Sequence, residues 1–268
     1  MVVFPYCKIN LGLQIVSKRA DGYHNIETCF YPVPWTDILE VIKADKFSFS
    51  SSGLDIPGNP EENLCIKAYR LLQCDFNLSP VQMHLHKVIP AGAGLGGGSS
   101  DAAFTLRTIN SIFKLELSSQ QLRTYAAQLG SDCSFFVEDK PMFGRGRGEL
   151  LSEVNLNLKG MFLILVKPDI HVSTADAFAG IKPKQPSASL SEILSLPLSE
   201  FRDVLVNDFE ESVFQKHPSI ASIKESMYQH GALYASMSGS GASVFGIFNS
   251  PVDLKNYFPG MVYWTGML

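Results

Sequence analysis

The segment Pro90-Ala-Gly-Ala-Gly-Leu-Gly-Gly-Gly-Ser-Ser-Asp101 constrains this chain more than any other, because it joins a strand pattern to a helix pattern. Before it, Val81, Met83 and Leu85 alternate with Gln82, His84 and His86, the period of a half-buried strand. After it, Ala102, Leu106, Ile109 and Phe113 recur at helical spacing. A strand feeding Gly92, Gly94, Gly96, Gly97 and Gly98 into a helix start offers bare backbone N–H groups and the positive end of a helix dipole. That is an anion site. Side chains would keep phosphate from the backbone and exclude φ values that such a nest requires. A plain turn with a serine cap needs one or two glycines, whereas five fall between Gly92 and Gly98. Ser99 and Ser100 are able to cap the helix, bind a phosphate oxygen, or reach a Mg2+ carried by a nucleotide.

Three familiar glycine motifs compete for the segment. Gly92-x-Gly94-x-x-Gly97 fits the dinucleotide pattern, but a second helix pattern (Ser118 to Leu129) follows where that motif needs a parallel strand ending in an acidic residue. A Walker loop needs lysine before the serine, and Gly98 precedes Ser99 directly. No H-R-D or D-F-G segment follows, as a protein kinase would require. A phosphate cradle of another type remains.

The 268 residues suit one large domain or two packed lobes, with 46% hydrophobic and 18% charged residues, a globular composition. A formal net charge of −4 argues against a broad nucleic-acid surface, so any phosphate site is local. No signal-peptide pattern opens the sequence, and the longest strongly apolar run, Met161 to Val166, is too short for a membrane span, so a cytoplasmic protein is expected. Five scattered cysteines without a C-x-x-C pair read as small buried hydrophobes, and His84 and His86 as solvated, with no protein metal site expected. Further helices are expected at Leu64 to Leu72, Ser118 to Leu129 (capped by Ser118, with Gln121 three residues on and Gly130 as the stop), Phe201 to Val213, and Ile220 to Met227. Strands are expected at 38–42, 161–166, 234–237 and 244–248. Lys182 to Ser189, with Pro183 and Pro186, reads as a linker. Hairpin-like strands mixed with helices favour α+β over a doubly wound sheet, with lobes at 1–150 and 151–268.

Pro90-x-x-x-Gly94-Leu-Gly-Gly-Gly-Ser-Ser100 resembles the signature ATP loop of the GHMP kinases, and two further matches fall in that family's order: Lys8-Ile-Asn-Leu11 and Ser238-Gly-Ser-Gly-Ala242. Within the superfamily, Lys8-Ile-Asn-Leu followed by Arg19-Ala-Asp-Gly-Tyr-His24 is similar to the family that phosphorylates 4-diphosphocytidyl-2-C-methyl-D-erythritol in the non-mevalonate isoprenoid pathway. Glu62-Asn-Leu64, Gly144-x-Gly-x-Gly-Glu149 and Asn207-Asp-x-Glu210 extend the likeness from Lys8 to Phe248. The resemblance implies an amino-terminal lobe like domain 2 of ribosomal protein S5, a ferredoxin-like carboxy-terminal lobe, and an ATP-dependent kinase using Mg2+. Other GHMP kinases, of mevalonate or homoserine type, and a nucleotide-binding sensor without turnover are the competing readings.

Phosphoryl transfer to an alcohol needs a proton acceptor, a cation for the transferring group and rigid placement of both. The resemblance assigns the base to Asp132 and the cation to Lys8; the plain alternatives are a loop aspartate and a surface lysine on an edge strand. Pro90, Ala91, Gly92, Ala93, Gly94, Leu95, Gly96, Gly97, Gly98, Ser99 and Ser100 form the implied ATP loop. Asn63 and Lys87 fall at the implied adenine pocket, against a helix N-cap and a solvated strand lysine. On the side of the small-molecule substrate, a cytidine diphosphate-linked polyol, Asn10 is implied to hold methylerythritol hydroxyls. Tyr23 and Phe178 would sandwich the cytosine while His24 reads its edge, and Thr174 would touch substrate or cap a helix. Two departures concern the base: Ser131 stands where alanine is usual and Ser134 where proline is usual.

Overall fold

A computed structural model describes residues 1–181, 183–186 and 188–268. The chain runs β1 (Val2–Val3), β2 (Tyr6–Lys18), β3 (His24–Thr36), β4 (Ile38–Lys43), β5 (Ser48–Gly53), α1 (Leu64–Phe76), β6 (Val81–Lys87), α2 (Gly97–Phe113) and α3 (Ser119–Leu129). It continues through β7 (Met142–Arg145), β8 (Leu150–Glu153), β9 (Phe162–Lys167), α4 (Thr174–Ala179), α5 (Leu190–Ile193), α6 (Phe201–Val204), α7 (Phe209–Lys216), α8 (Pro218–Gln229), β10 (Tyr234–Met237), β11 (Val244–Phe248) and β12 (Val262–Met267). The fold is α+β, as the mixed pattern predicts.

Two compact units divide the chain. The first comprises residues 1–7, 35–91 and 96–140, the second residues 8–34, 92–95 and 141–268. In the first, strands order β1-β4-β6-β5, with β6 antiparallel to β4 and parallel to β5. The alternation at Val81, Met83 and Leu85 is borne out: those side chains are buried. His84 and His86 lie half-buried on the other face, where Ser50 and Ser52 of β5 hydrogen-bond their rings at 2.8–2.9 Å. Cross-strand partners, rather than bulk solvent, take up these nitrogens.

Helix α3 starts as its sequence dictates. Ser118 accepts from Gln121 N while the Gln121 side chain accepts from Ser118 N, a reciprocal box that satisfies two orphan donors. Gly130 ends the helix in an extended conformation (φ 171), not the left-handed one usual for glycine stops.

The second unit carries an antiparallel sheet ordered β10-β11-β9-β12. Ile164, Val166, Val244, Ile223 and Met227 are buried in its core with Leu13 and Ile15. A second sheet orders β2-β3-β7-β8. Strand β2 is buried on both faces from Cys7 to Ile15, so it lacks the alternation that would have marked it as a strand.

The helix expected from Phe201 to Val213 is broken. Val206 O accepts from Leu13 N and Asp208 N donates to Leu13 O, so this stretch docks beside β2. Extended pairing with β2 outcompetes the helical ladder there. Of the expected linker, Lys182 and Ser187 lie outside the described residues; 183–186 carry no regular structure, and Ser189 caps α5. Four cysteines are buried, and Cys74, contrary to expectation, is exposed.

Candidate active site

Residues Gly92–Leu95 of the glycine loop pack in the second unit against the late glycine segment. Ser238 Oγ donates to Gly94 O over 2.8 Å, and Ser243 N donates to Ala93 O over 3.3 Å. A Cβ on Gly94 would fall 2.0 Å from Ser238 O, and its φ of +76° is a conformation that side chains disfavour. Glycine is therefore required at this crossing. Lys8 fastens to the same turn through its backbone N–H to Leu95 O (3.0 Å) and its ammonium to Gly94 O (2.8 Å).

Lys8 is buried, not the surface lysine of the plain alternative. Its ammonium also donates to Asn10 Oδ1 at 2.6 Å and lies 5.6 Å from the centroid of the Phe30 ring, within cation–π range. Asn10 in turn donates to Thr28 Oγ1 (2.9 Å), and Thr28 donates to Gly12 O (2.6 Å). The chain of bonds leaves no mismatch of donors and acceptors, which is what a buried polar network needs.

The late glycine segment is braced from below. Asn207 Nδ2 donates to Met237 O and Gly239 O, each at 2.8 Å, and its Oδ1 accepts from Phe209 N. Glu210 Oε1 accepts from Ser236 Oγ and Met237 N at 2.8 Å, while its other oxygen meets Lys224. These bonds account for Asn207-Asp-x-Glu210 as a support for Ser238-Gly-Ser-Gly-Ala242.

Also in the second unit, His24 stacks on Phe178 with centroids 4.7 Å apart and planes 14° from parallel. Phe178 meets Phe209 edge-on at 4.8 Å and packs against the core. Tyr23 is exposed, its ring covered by the Arg147 guanidinium at 5.0 Å. Thus His24, rather than Tyr23, occupies the Phe178 face. Burial, then Lys18, holds the His24 imidazole below the usual histidine range, which favours a neutral ring that both donates and accepts. Thr174 is the first residue of α4, and Ser173, not Thr174, caps it; the Thr174 hydroxyl lies 3.4 Å from Ser240 Oγ.

In the first unit, α2 starts at Gly97 behind Gly96 (φ +69) with no side-chain cap, so Ser99 and Ser100 do not cap it. Ser99 bonds the Cys133 thiol, whose pKa burial pushes up to about 12. Ser100 Oγ is buried and has no partner among the described residues. Asp132 is half-buried in the turn after Gly130, next to Cys133. Ser134 donates its hydroxyl to Arg123 O of α3 at 3.3 Å, a tie that proline in its place could not make. Asn63 caps α1 by accepting from Cys65 N at 2.9 Å, the plain alternative.

Lys87 is buried, not solvated. Its ammonium pairs with Asp37 and, at 2.9 Å, with Asp101. Burial works against its charge, but Asp101 and then Asp37 outweigh that and raise its pKa. Asp37 Oδ1 also accepts from Val88 N and Ile89 N. A Cβ on Gly97 would sit 2.9 Å from Lys87 Nζ, so this glycine makes room for the ion cluster under the start of α2. Asp37, Asp101, Thr28 and Asn207 carry the scaffolding that residue-by-residue reading missed. Asp101 ends the glycine motif and Asn207 opens a recognised one, whereas Asp37 and Thr28 have no local signal.

Oxygen donors on Ser99, Ser100 and Asp132 suit a hard cation, and the orphaned Ser100 hydroxyl leaves one acceptor unclaimed. No group of three or more His, Cys, Asp or Glu side chains suited to a metal occurs among the described residues. A Mg2+ held mainly by nucleotide phosphates fits that donor set.

The family model for the GHMP kinases N terminal domain matches residues 63–139, and that for the GHMP kinases C terminal matches 190–257. The 4-diphosphocytidyl-2-C-methyl-D-erythritol kinase of Bacteroides thetaiotaomicron is 54% identical over 252 residues, 92% of each chain. The protein of the same name from Parabacteroides distasonis is 48% identical over 270 residues and the whole of both chains. A crystal structure of a 4-(cytidine 5'-diphospho)-2C-methyl-D-erythritol kinase superposes with a TM-score of 0.85 at 28% identity, covering 99% of this chain and 98% of that one. Mevalonate kinase from Methanococcus jannaschii shares the fold, with a TM-score of 0.72 at 14% identity. The chain belongs to the GHMP kinases and, within them, to the 4-diphosphocytidyl-2-C-methyl-D-erythritol kinase family.

Proposed function

We propose that this chain transfers the γ-phosphoryl group of ATP to the 2-hydroxyl of 4-diphosphocytidyl-2-C-methyl-D-erythritol. The observation that carries the reading is the 54% identity across 92% of the chain with a relative so named. The anchoring of the Lys8 ammonium on the glycine loop supports it, because a fixed cation beside a phosphate cradle stabilises charge that builds on a transferring phosphoryl group.

Asp132 accepts the proton of the attacking hydroxyl, and Lys8 offsets the developing charge. Gly92 to Gly98 present backbone N–H groups to the phosphates, with Pro90, Ala91, Ser99 and Ser100 completing the loop. Asn63 and Lys87 line the adenine end, Lys87 through its backbone because its ammonium is committed to Asp37 and Asp101. Asn10 holds the polyol hydroxyls, and Thr174 makes a further substrate contact. The cytosine stacks on Phe178 and Tyr23 while His24 reads its polar edge. A base stacked on the Phe178 face that His24 covers would take the place of that ring. Ser99, Ser100 or Asp132 would hold a Mg2+ carried by the nucleotide, which would supply neutralisation of phosphate charge. No described helix is long and apolar enough to cross a membrane.

The test is ADP release by the purified chain with Mg-ATP and, separately, the cytidylylated methylerythritol, mevalonate and homoserine. Turnover with the first alone is the expected result. Turnover with another of the three keeps the kinase and overturns the substrate; silence throughout, with ATP still bound, overturns the enzyme.

A further inference from the structure

A cavity of about 580 Å3 opens in the second unit, and its lining contains none of the residues assigned above to ATP, substrate or catalysis. Small-molecule sites fall in this size range. Gln14 of β2 contributes to its wall; the residue is 6% exposed, and its Oε1 is buried without a hydrogen-bond partner among the described residues. A buried amide oxygen left unpaired costs roughly 1–3 kcal/mol, so folding alone gives no reason for glutamine where leucine would fit. An amide also offers a ligand both a donor and an acceptor.

The rest of the lining states what that ligand is. Among the described lining residues, Glu192, Asp203 and Asp208 stand against Lys184. Asp208 commits one oxygen to Ile15 N (2.7 Å) and Glu192 one to Ser189 N (3.0 Å), which fixes both carboxylates in place. The aliphatic side chains of Leu196, Val204 and Val206 line the same cavity and remain 38%, 40% and 46% exposed. Apolar side chains gathered in one cavity mark a binding surface more often than scattered ones do. An anion would meet three carboxylates for the one lysine among the described lining residues; a cation meets its complement, and its hydrocarbon part meets the aliphatic side chains.

We propose that this cavity binds a small organic cation, an alkyl- or arylalkylammonium, with the ammonium on the Glu192–Asp203–Asp208 side and the hydrocarbon body on Leu196, Val204 and Val206. The Gln14 amide supplies the remaining polar contact. The volume holds a small molecule rather than a folded partner.

The experiment is calorimetric titration of the full chain with hexylamine and with hexanoate, which share length and differ in charge. Hexylamine binds one to one, and hexanoate binds at least about tenfold more weakly. Asp203→Asn combined with Glu192→Gln weakens hexylamine at least about fivefold, and so does Gln14→Leu, which replaces an unpaired amide with a side chain of similar volume and keeps the fold. Circular dichroism confirms that both variants are folded. Equal binding of hexanoate, unchanged hexylamine affinity in the folded variants, or binding abolished by ATP but not by these substitutions would each overturn the proposal.

Discussion

The Lys8 ammonium donates to the carboxamide oxygen of Asn10 across 2.6 Å, and that bond decides which way the amide points. With its oxygen turned to Lys8, Asn10 must donate through nitrogen, and Thr28 Oγ1 receives that bond at 2.9 Å. Thr28 is therefore a positioning residue for Lys8 at one remove. Thr28→Val keeps the shape of the side chain but leaves Asn10 Nδ2 without its acceptor, at a cost of about 1–3 kcal/mol in stability. We expect kcat to fall about tenfold with KM for ATP nearly unchanged, and Thr28→Ser to restore most of the rate. A valine variant with normal kcat would show that Asn10 and Lys8 hold their places without it.

Lys8→Met and Asp132→Asn test the proposed charge-stabilising and proton-accepting roles of the two residues. Each should lower kcat by about 10²–10⁴ while ATP binding, followed by titration, stays within a few fold of normal. Losing both together should cost little more than losing one, because groups that act as a unit are not additive. If Asp132→Asn turns over at near-normal rate, the base lies elsewhere.

The parts of this fold that were legible in the sequence are those whose signal is local. Alternation at Val81, Met83 and Leu85, the reciprocal cap of Ser118 and Gln121, and the glycine run at 92–98 each declare themselves within a few residues. What was illegible depends on partners distant in the chain. Strand β2 is buried on both faces and shows no alternation, and the helix expected across 201–213 gives way to pairing with Leu13, some 190 residues earlier. The Lys87 cluster joins residues 37, 87 and 101, and nothing near Asp37 announces it. In the candidate site the same rule holds: Lys8 and the glycines were readable by motif, while Thr28, Asp37 and the brace from Asn207 emerge only once the chain is folded.

The His24 ring rests on Phe178 at 4.7 Å and is half-buried. His24→Ala should raise KM for the cytidylylated substrate at least about tenfold while KM for ATP moves little, as expected for loss of edge recognition of one base. Phe178→Leu should act in the same direction through lost stacking, worth about 1–3 kcal/mol per base. Steady-state kinetics with each substrate varied in turn measures both. Equal changes in the two KM values would refute the assignment of these rings to cytosine.

Asp101 gives the chain an unusual dependence on pH. Burial raises its carboxyl from the ordinary value of 3.8 to about 7, with Lys87 pulling it down and Asp37 pushing it up. Between those two values the folded chain keeps a proton that the unfolded chain has released. Stability therefore falls as pH rises through that window and levels off above about 7, the reverse of the trend for a carboxylate whose pKa is depressed by its ion pair. Lys87, raised above its own ordinary value of 10.5, does not titrate there. Asp101→Asn keeps the size of the side chain and removes the titration, so urea midpoints measured from about pH 5 to about pH 8 should decline for the wild-type chain relative to the variant. If the two sets of midpoints run parallel, Asp101 is ionised across that range and burial does not raise its carboxyl to about 7.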